Sequence, residues 1–190
     1  DQHQWPDALE VRERIARIDA GRRPDDQQIL GFLRNEIGNA QKRKGDEAAA
    51  ARTFSEAIDA DARTTPAYLN LGDVREKQGR LAAAVEVWEQ LIAAVPDHAH
   101  FAFGRLERAY RTLGTPHRFV DLCERLIARD PLGWRARLAL SKHLSAAGQH
   151  RDAFDRLLDA LPHHPHGLAI HQQVWETLAS LDFDTCLSST

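Results

Sequence analysis

Four histidines, His163, His164, His166 and His171, crowd one short stretch near the end of the chain. Imidazole is a common metal ligand. A zinc site, however, needs its ligands in a spaced set, most often completed by cysteine, and no cysteine lies close by. Pro162 to Gly167 reads as a turn, so no metal is expected there. Cys123 falls on an apolar stripe and is expected to be a buried small hydrophobe. A nucleophilic cysteine would need a placed base and an electropositive niche. Cys186 lies in the polar stretch 182–190. No Gly-rich phosphate loop, nucleophile elbow or paired-carboxylate motif is present. The expectation is therefore no catalytic residue, no metal, no cofactor and no enzyme.

The remaining polar chemistry is that of recognition. The amides of Asn35, Asn39 and Asn70 can both donate and accept. Arg105, Arg108, Arg111, Arg135 and Lys142 form a basic series whose arginine forks suit carboxylates or phosphates. The formal charge of the 190 residues is only −3 and aromatics make up 7%. Neither favours nucleic acid, which wants a strong positive field and stacking platforms. No apolar run approaches the roughly 20 residues that span a bilayer. Two cysteines are too few for a disulfide framework, which points to a reducing compartment. The sequence begins at Asp1 and contains no methionine, so a start further upstream is expected. Membrane contact, if any, would come through segments outside this sequence.

The elements that must carry these residues show in a repeat. Gly45, Gly79, Gly114 and Gly148 are 34, 35 and 34 residues apart, the period of a tetratricopeptide unit. Full units are expected at about 31–64, 65–99, 100–133 and 134–167. A partial unit at 5–20 precedes them, a longer connection through Gly21 and Pro24 intervening. A terminal helix at 168–181 and a tail at 182–190 follow. The second unit carries Tyr68, Leu71-Gly72, Gly79, Ala84, Trp88, Leu91 and Pro96, close to the tetratricopeptide pattern, with Arg75 where a tyrosine is expected. Apolar residues recur three and four apart, as in amphipathic helices. Each glycine is placed to end a first helix in left-handed backbone, and Pro96, Pro131 and Pro165 to stop second helices. Gly38, Gly72, Ala50, Ala84 and Ala153 sit where paired helices would approach closely. The fold expected is all-α: a right-handed superhelix of antiparallel helix pairs, about ten helices, in one array over 1–190.

Stacked pairs form an extended concave surface, lined in this family by first helices. The residues expected there are Asn35, Asn39, Asn70, Asp73, Phe101, Arg105, Arg108, Arg135 and Lys142, with Phe32, Glu36, Lys42 and Glu76 beside them. Asn39, Asn70 and Arg105 resemble three of the five places of carboxylate-clamp tetratricopeptide domains. The two lysine places hold Asn35 and Phe101, so the full clamp is not expected. The partner expected is a protein or peptide, an acidic one being the candidate that suits the arginines. On the terminal helix, Ile170, Val174, Leu178 and Leu181 are expected to form an outward apolar face, covered by a further segment or used to form an oligomer.

The order of features from Trp5 to Leu178 also resembles the bacterial lipopolysaccharide assembly protein B family. The likeness rests on Trp5-x-x-Ala8 leading into Glu13-Arg14-Ile15, Gly45-Asp46-x-x-x-Ala50, Leu106-x-x-x-Tyr110-x-x-Leu113-Gly114, and His164-Pro165. That resemblance implies a non-catalytic adaptor on the cytoplasmic side of the inner membrane, tuning lipopolysaccharide synthesis by bringing the lipid A deacetylase to a membrane protease. The competing expectations are a repeat scaffold for another envelope or secretion assembly, and an accessory domain of a larger enzyme.

Overall fold

The structure is a computed structural model that describes residues 4–18, 24–163 and 166–181. Every regular element among them is helical: α1 Gln4–Ile18, α2 Pro24–Arg43, α3 Glu47–Ala60, α4 Thr65–Lys77, α5 Leu81–Ala94, α6 Phe103–Thr112, α7 His117–Arg129, α8 Trp134–Ala146, α9 His150–Leu158 and α10 Leu168–Ser180. Short 3₁₀ turns lie at Pro96–Phe101 and Leu161–His163. None of the described helices is long and apolar enough to cross a membrane.

The glycine register decides where helices end. Gly45, Gly79, Gly114 and Gly148 all have positive φ, from 73° to 83°, a conformation that costs other L-residues sterically. Each follows a first helix and bonds back into its last turn. The next helix then starts within a few residues. Asp46 caps α3 by accepting the Ala49 N–H at 3.0 Å, satisfying a donor that the helix start leaves open. Pro96 and Pro131 follow the ends of α5 and α7, as expected. Pro165 lies outside the described residues.

The chain divides into two compact units, Asp1–Gly114 and Thr115–Thr190. In the first, α1 packs on α2, α2 on α3, α3 on α4, α4 on α5 and α5 on α6. Its core holds Phe54, Trp88, Leu91, Leu106 and Tyr110, all essentially inaccessible. Burying each such side chain contributes about 1.5–3 kcal/mol. Close approach between paired helices depends on small residues. A Cβ on Gly38 would strike the Phe54 ring, and one on Gly72 would strike the Trp88 indole. In the second unit, α7 packs on α8, α8 on α9 and α9 on α10. Phe119, Cys123, Leu140, Leu157 and Ile170 are buried there.

Three expectations are corrected. The connection through Gly21 and Pro24 does not extend to Gly31, because α2 already begins at Pro24. Proline suits a helix start and Asp25 and Asp26 suit its first turn. Phe101, expected on the first helix of the third repeat, lies instead in a 3₁₀ turn, Pro96–Phe101, and α6 starts at Phe103. On α10, Ile170 is buried with Leu157 and Ala160, and Val174 packs against the same cluster. The exposed large apolar residues of that helix are Leu168 and Trp175.

Candidate functional site

Because α2, α4 and α6 are the first helices of successive repeats, they bring similar positions side by side. Asn35 on α2 is buried, donates to Glu36 Oε1 at 3.1 Å, and accepts from Asn70 Nδ2 on α4 at 3.1 Å. Lys42 donates to Asn70 Oδ1 at 3.4 Å. Asn39 donates to Glu36 Oε1 at 3.2 Å, one turn away on its own helix. The seam between α2 and α4 is thus a chain of amides closed by one ammonium.

The seam between α4 and α6 is ionic. Arg105 holds Asp73 through two parallel bonds, Nε to Oδ1 at 2.6 Å and Nη2 to Oδ2 at 3.0 Å. One turn along, Arg108 holds Glu76 through Nη2 to Oε2 at 3.0 Å, with Nε 3.4 Å from Oε1. Parallel bonds of this kind fix geometry as well as charge. The Asp73 hydrogen bond raises the Arg105 pKa above its usual value, against an opposing effect of burial. Arg105 also donates from Nη1 to the Phe101 carbonyl at 3.2 Å.

Phe101 stands beside this ionic row and is 49% exposed. Its ring lies 4.1 Å from that of His100 and edge-on to His98 at 5.7 Å. Asp73, Glu76, Phe101, Gly104, Arg105 and Arg108 line an open recess of about 530 Å³. Phe32 on α2 is 52% exposed and meets Trp5 edge-on at 5.8 Å.

Seven of the nine residues expected at the site lie in the first unit: Asn35, Asn39, Asn70, Asp73, Arg105 and Arg108 on α2, α4 and α6, and Phe101 at the end of the 3₁₀ turn before α6. Arg135 and Lys142 lie on α8 of the second unit, both exposed, with the Arg135 guanidinium 5.1 Å from the Trp134 ring centre. The arginine–carboxylate pairs escaped the sequence reading. Their signal is an acid followed 32 residues later by an arginine, seen twice over, at Asp73–Arg105 and Glu76–Arg108. Of the histidines, His166 and His171 are described, while His164 and the His163 side chain lie outside the described residues, as does Cys186. Cys123 is buried.

The tetratricopeptide repeat family matches residues 35–99 and 69–114. No curated protein matches the chain. Among solved structures, the chain is similar to a thermophilic tetratricopeptide-repeat protein of Thermus thermophilus: 18% identity over 93% of this chain and 92% of that one, TM-score 0.53. It is also similar to a chain of the APC/C hetero-tetramer Cut9–Hcn1, with 12% identity over 81% of this chain and 32% of that one, TM-score 0.50. The MamA protein follows at 19% identity over 79% and 81%, TM-score 0.48. At these identities the likeness is one of fold. The matched stretch, residues 35–114, is similar to a run of tetratricopeptide repeats.

Proposed function

We propose that the chain is a non-catalytic scaffold that binds a partner polypeptide along the face of α2, α4 and α6. Repeat scaffolds bind along the surface that their stacked first helices present. The observation that carries the reading is Phe101, half exposed beside an ion-paired row and lining the same recess. An exposed aromatic set among positioned polar groups is the usual composition of a protein-binding hot spot. The Cut9–Hcn1 hetero-tetramer, to which this fold is similar, brings together two kinds of chain, which accords with such a role for this fold.

The row also shapes what the partner brings. Arg105 and Arg108 reach the face already neutralised by Asp73 and Glu76, so this part of it is balanced in charge. An acidic partner would engage a cation with no carboxylate partner among the described residues, such as Lys42 of α2, which bonds only the Asn70 amide, or Arg111 of α6. In the second unit, Arg135 and Lys142 on α8 offer the same. The narrower reading, an adaptor in lipopolysaccharide synthesis anchored at the inner membrane, rests on the residue resemblance from Trp5 to Leu178.

A random peptide library displayed on phage and selected on the protein tests the face. Phe101→Ala is expected to weaken the selected peptides about tenfold or more, as a loss of about 1.4 kcal/mol or more at a hot spot. Peptides that bind the variant as well as the parent would reject this surface.

A further inference from the structure

A second recess is lined by other residues of the first unit. Ala48, Ala51 and Arg52 on α3, Arg75 on α4, and Gln78 and Arg80 in the turn before α5 enclose about 420 Å³. Arg75 is two residues beyond Asp73, roughly 200° around α4, so it points off the α2–α4–α6 row. Three arginines therefore line one recess. None of them makes an ion pair with another described residue.

The carboxylates that could neutralise them are engaged or unused. Asp46 caps α3. Glu47 pairs with Lys77, and Glu76 with Arg108. Glu56, one turn beyond Arg52 on α3, forms no pair with it. The first turn of α5 contains no acidic residue and no side chain caps it, so the positive end of that helix adds to the field.

The neighbouring repeat shows what this position holds when it is purely structural. Tyr110 stands 35 residues after Arg75, matching the 35 between Gly79 and Gly114. It is buried, and its hydroxyl donates to Glu89 on α5. One repeat earlier the equivalent of Glu89 is Ser55, and the equivalent of Glu86 is Arg52. A tyrosine–carboxylate contact has been exchanged for arginines around small alanine walls. Clustered like charges cost stability unless something offsets them.

We infer that Arg52, Arg75 and Arg80 form a binding site for an oxyanion of the phosphate class. Guanidinium forks match the oxygens of a phosphate through paired N–H donors, Gln78 adds an amide donor, and the recess leaves room for the group that carries the phosphate. The site is separate from the Phe101 face and does not depend on it.

The test is a titration of the protein with sodium phosphate at ionic strength held constant with sodium chloride, followed by the arginine Nε–Hε signals in nitrogen–proton spectra. Saturable shifts are expected at Arg52, Arg75 and Arg80, with Arg105 and Arg108 unmoved. Arg75→Tyr installs the residue of the next repeat and is expected to weaken binding about tenfold or more, as a charge-assisted hydrogen bond is lost. Arg80→Ala, at an exposed turn, is the second variant and is expected to weaken binding likewise. A response that never saturates, that is equal at all arginines, or that survives both substitutions would overturn the site. A phosphoserine peptide flanked by glycines then identifies the carrier. Tighter binding than inorganic phosphate assigns the anion to a polypeptide, and equal binding to the free ion.

Discussion

Arg105 and Asp73 meet through both carboxylate oxygens across 32 residues of chain, one repeat apart, on a surface where each is about one-third exposed. Such a pair fixes two helices relative to each other more than it stabilises them, because water screens it. A double-mutant cycle with Arg105→Ala and Asp73→Ala is expected to give a coupling of only about 0.2–1 kcal/mol in urea denaturation. The same variants should alter binding of selected peptides more than stability. A coupling of several kcal/mol would show that the pair is a structural clamp and not a surface feature of the site.

Glycines in these helices fall into two kinds, and substitution separates them. Gly72 lies under the Trp88 indole, and both are buried. Gly72→Leu is expected to cost at least the roughly 1–3 kcal/mol of an overpacked core. Gly104 has nothing within 4 Å of where its Cβ would lie and sits in the first turn of α6. Gly104→Ala is expected to stabilise by about 0.4–1 kcal/mol, through helix propensity and a less flexible unfolded chain. Thermal melts of the two variants should move in opposite directions. An unchanged midpoint for Gly72→Leu would reject the packing of α4 on α5.

The repeat was legible because its punctuation is chemically unambiguous. Only glycine takes φ near about +75° without strain, so Gly45, Gly79, Gly114 and Gly148 announced their turns, and Pro96 and Pro131 marked helix ends. The start of α2 was also written in the sequence, as Pro24 followed by Asp25 and Asp26, but the 34-residue frame placed the unit's first helix later, near Gly31. Which way α10 faces was not legible. Ile170 and Val174 announce a stripe four apart, but a stripe does not say whether a neighbour lies on that side, and α9 does. The site was legible in its residues and not in its pairings. A first-helix position can be counted from the glycines, whereas the meeting of Asp73 with Arg105 depends on how two helices are stacked.

The asparagines of the face are not equivalent, although the sequence treats them alike. Asn39 bonds only to Glu36 on its own helix and is partly exposed. Asn70 bridges Asn35 and Lys42, and Asn35 is buried. Asn39→Ala is expected to change stability by no more than about 0.5 kcal/mol. Asn70→Ala leaves the Asn35 carbonyl oxygen without its partner and is expected to cost about 1–3 kcal/mol. Loss of peptide binding in Asn39→Ala therefore reports on recognition, whereas in Asn70→Ala it must be corrected for stability. Equal melting temperatures for the two variants would contradict the bridging role of Asn70.

Tyr68 gives the first unit a stability that depends on alkaline pH. Its ring is buried and its hydroxyl donates to the Ala62 carbonyl at 3.2 Å. Burial first, and then the charges of Asp61 and Asp59, raise its pKa above the ordinary 10.0. The folded protein therefore keeps the phenol proton to higher pH than the unfolded chain does. Above pH 10.0 the unfolded chain ionises first, so stability falls as pH rises toward the folded pKa, and below 10.0 the contribution is fully present. Tyr68→Phe removes this group from the balance. At neutral pH it should lose about 0.5–1.5 kcal/mol with the hydrogen bond, and above pH 10.0 its urea midpoint should decline less steeply than that of the parent. Every other ionisable group is present in both proteins, so the difference between the two curves isolates Tyr68. Parallel curves through the alkaline range would mean that the phenol ionises in the folded protein as readily as in the unfolded chain, contrary to its burial beside two carboxylates.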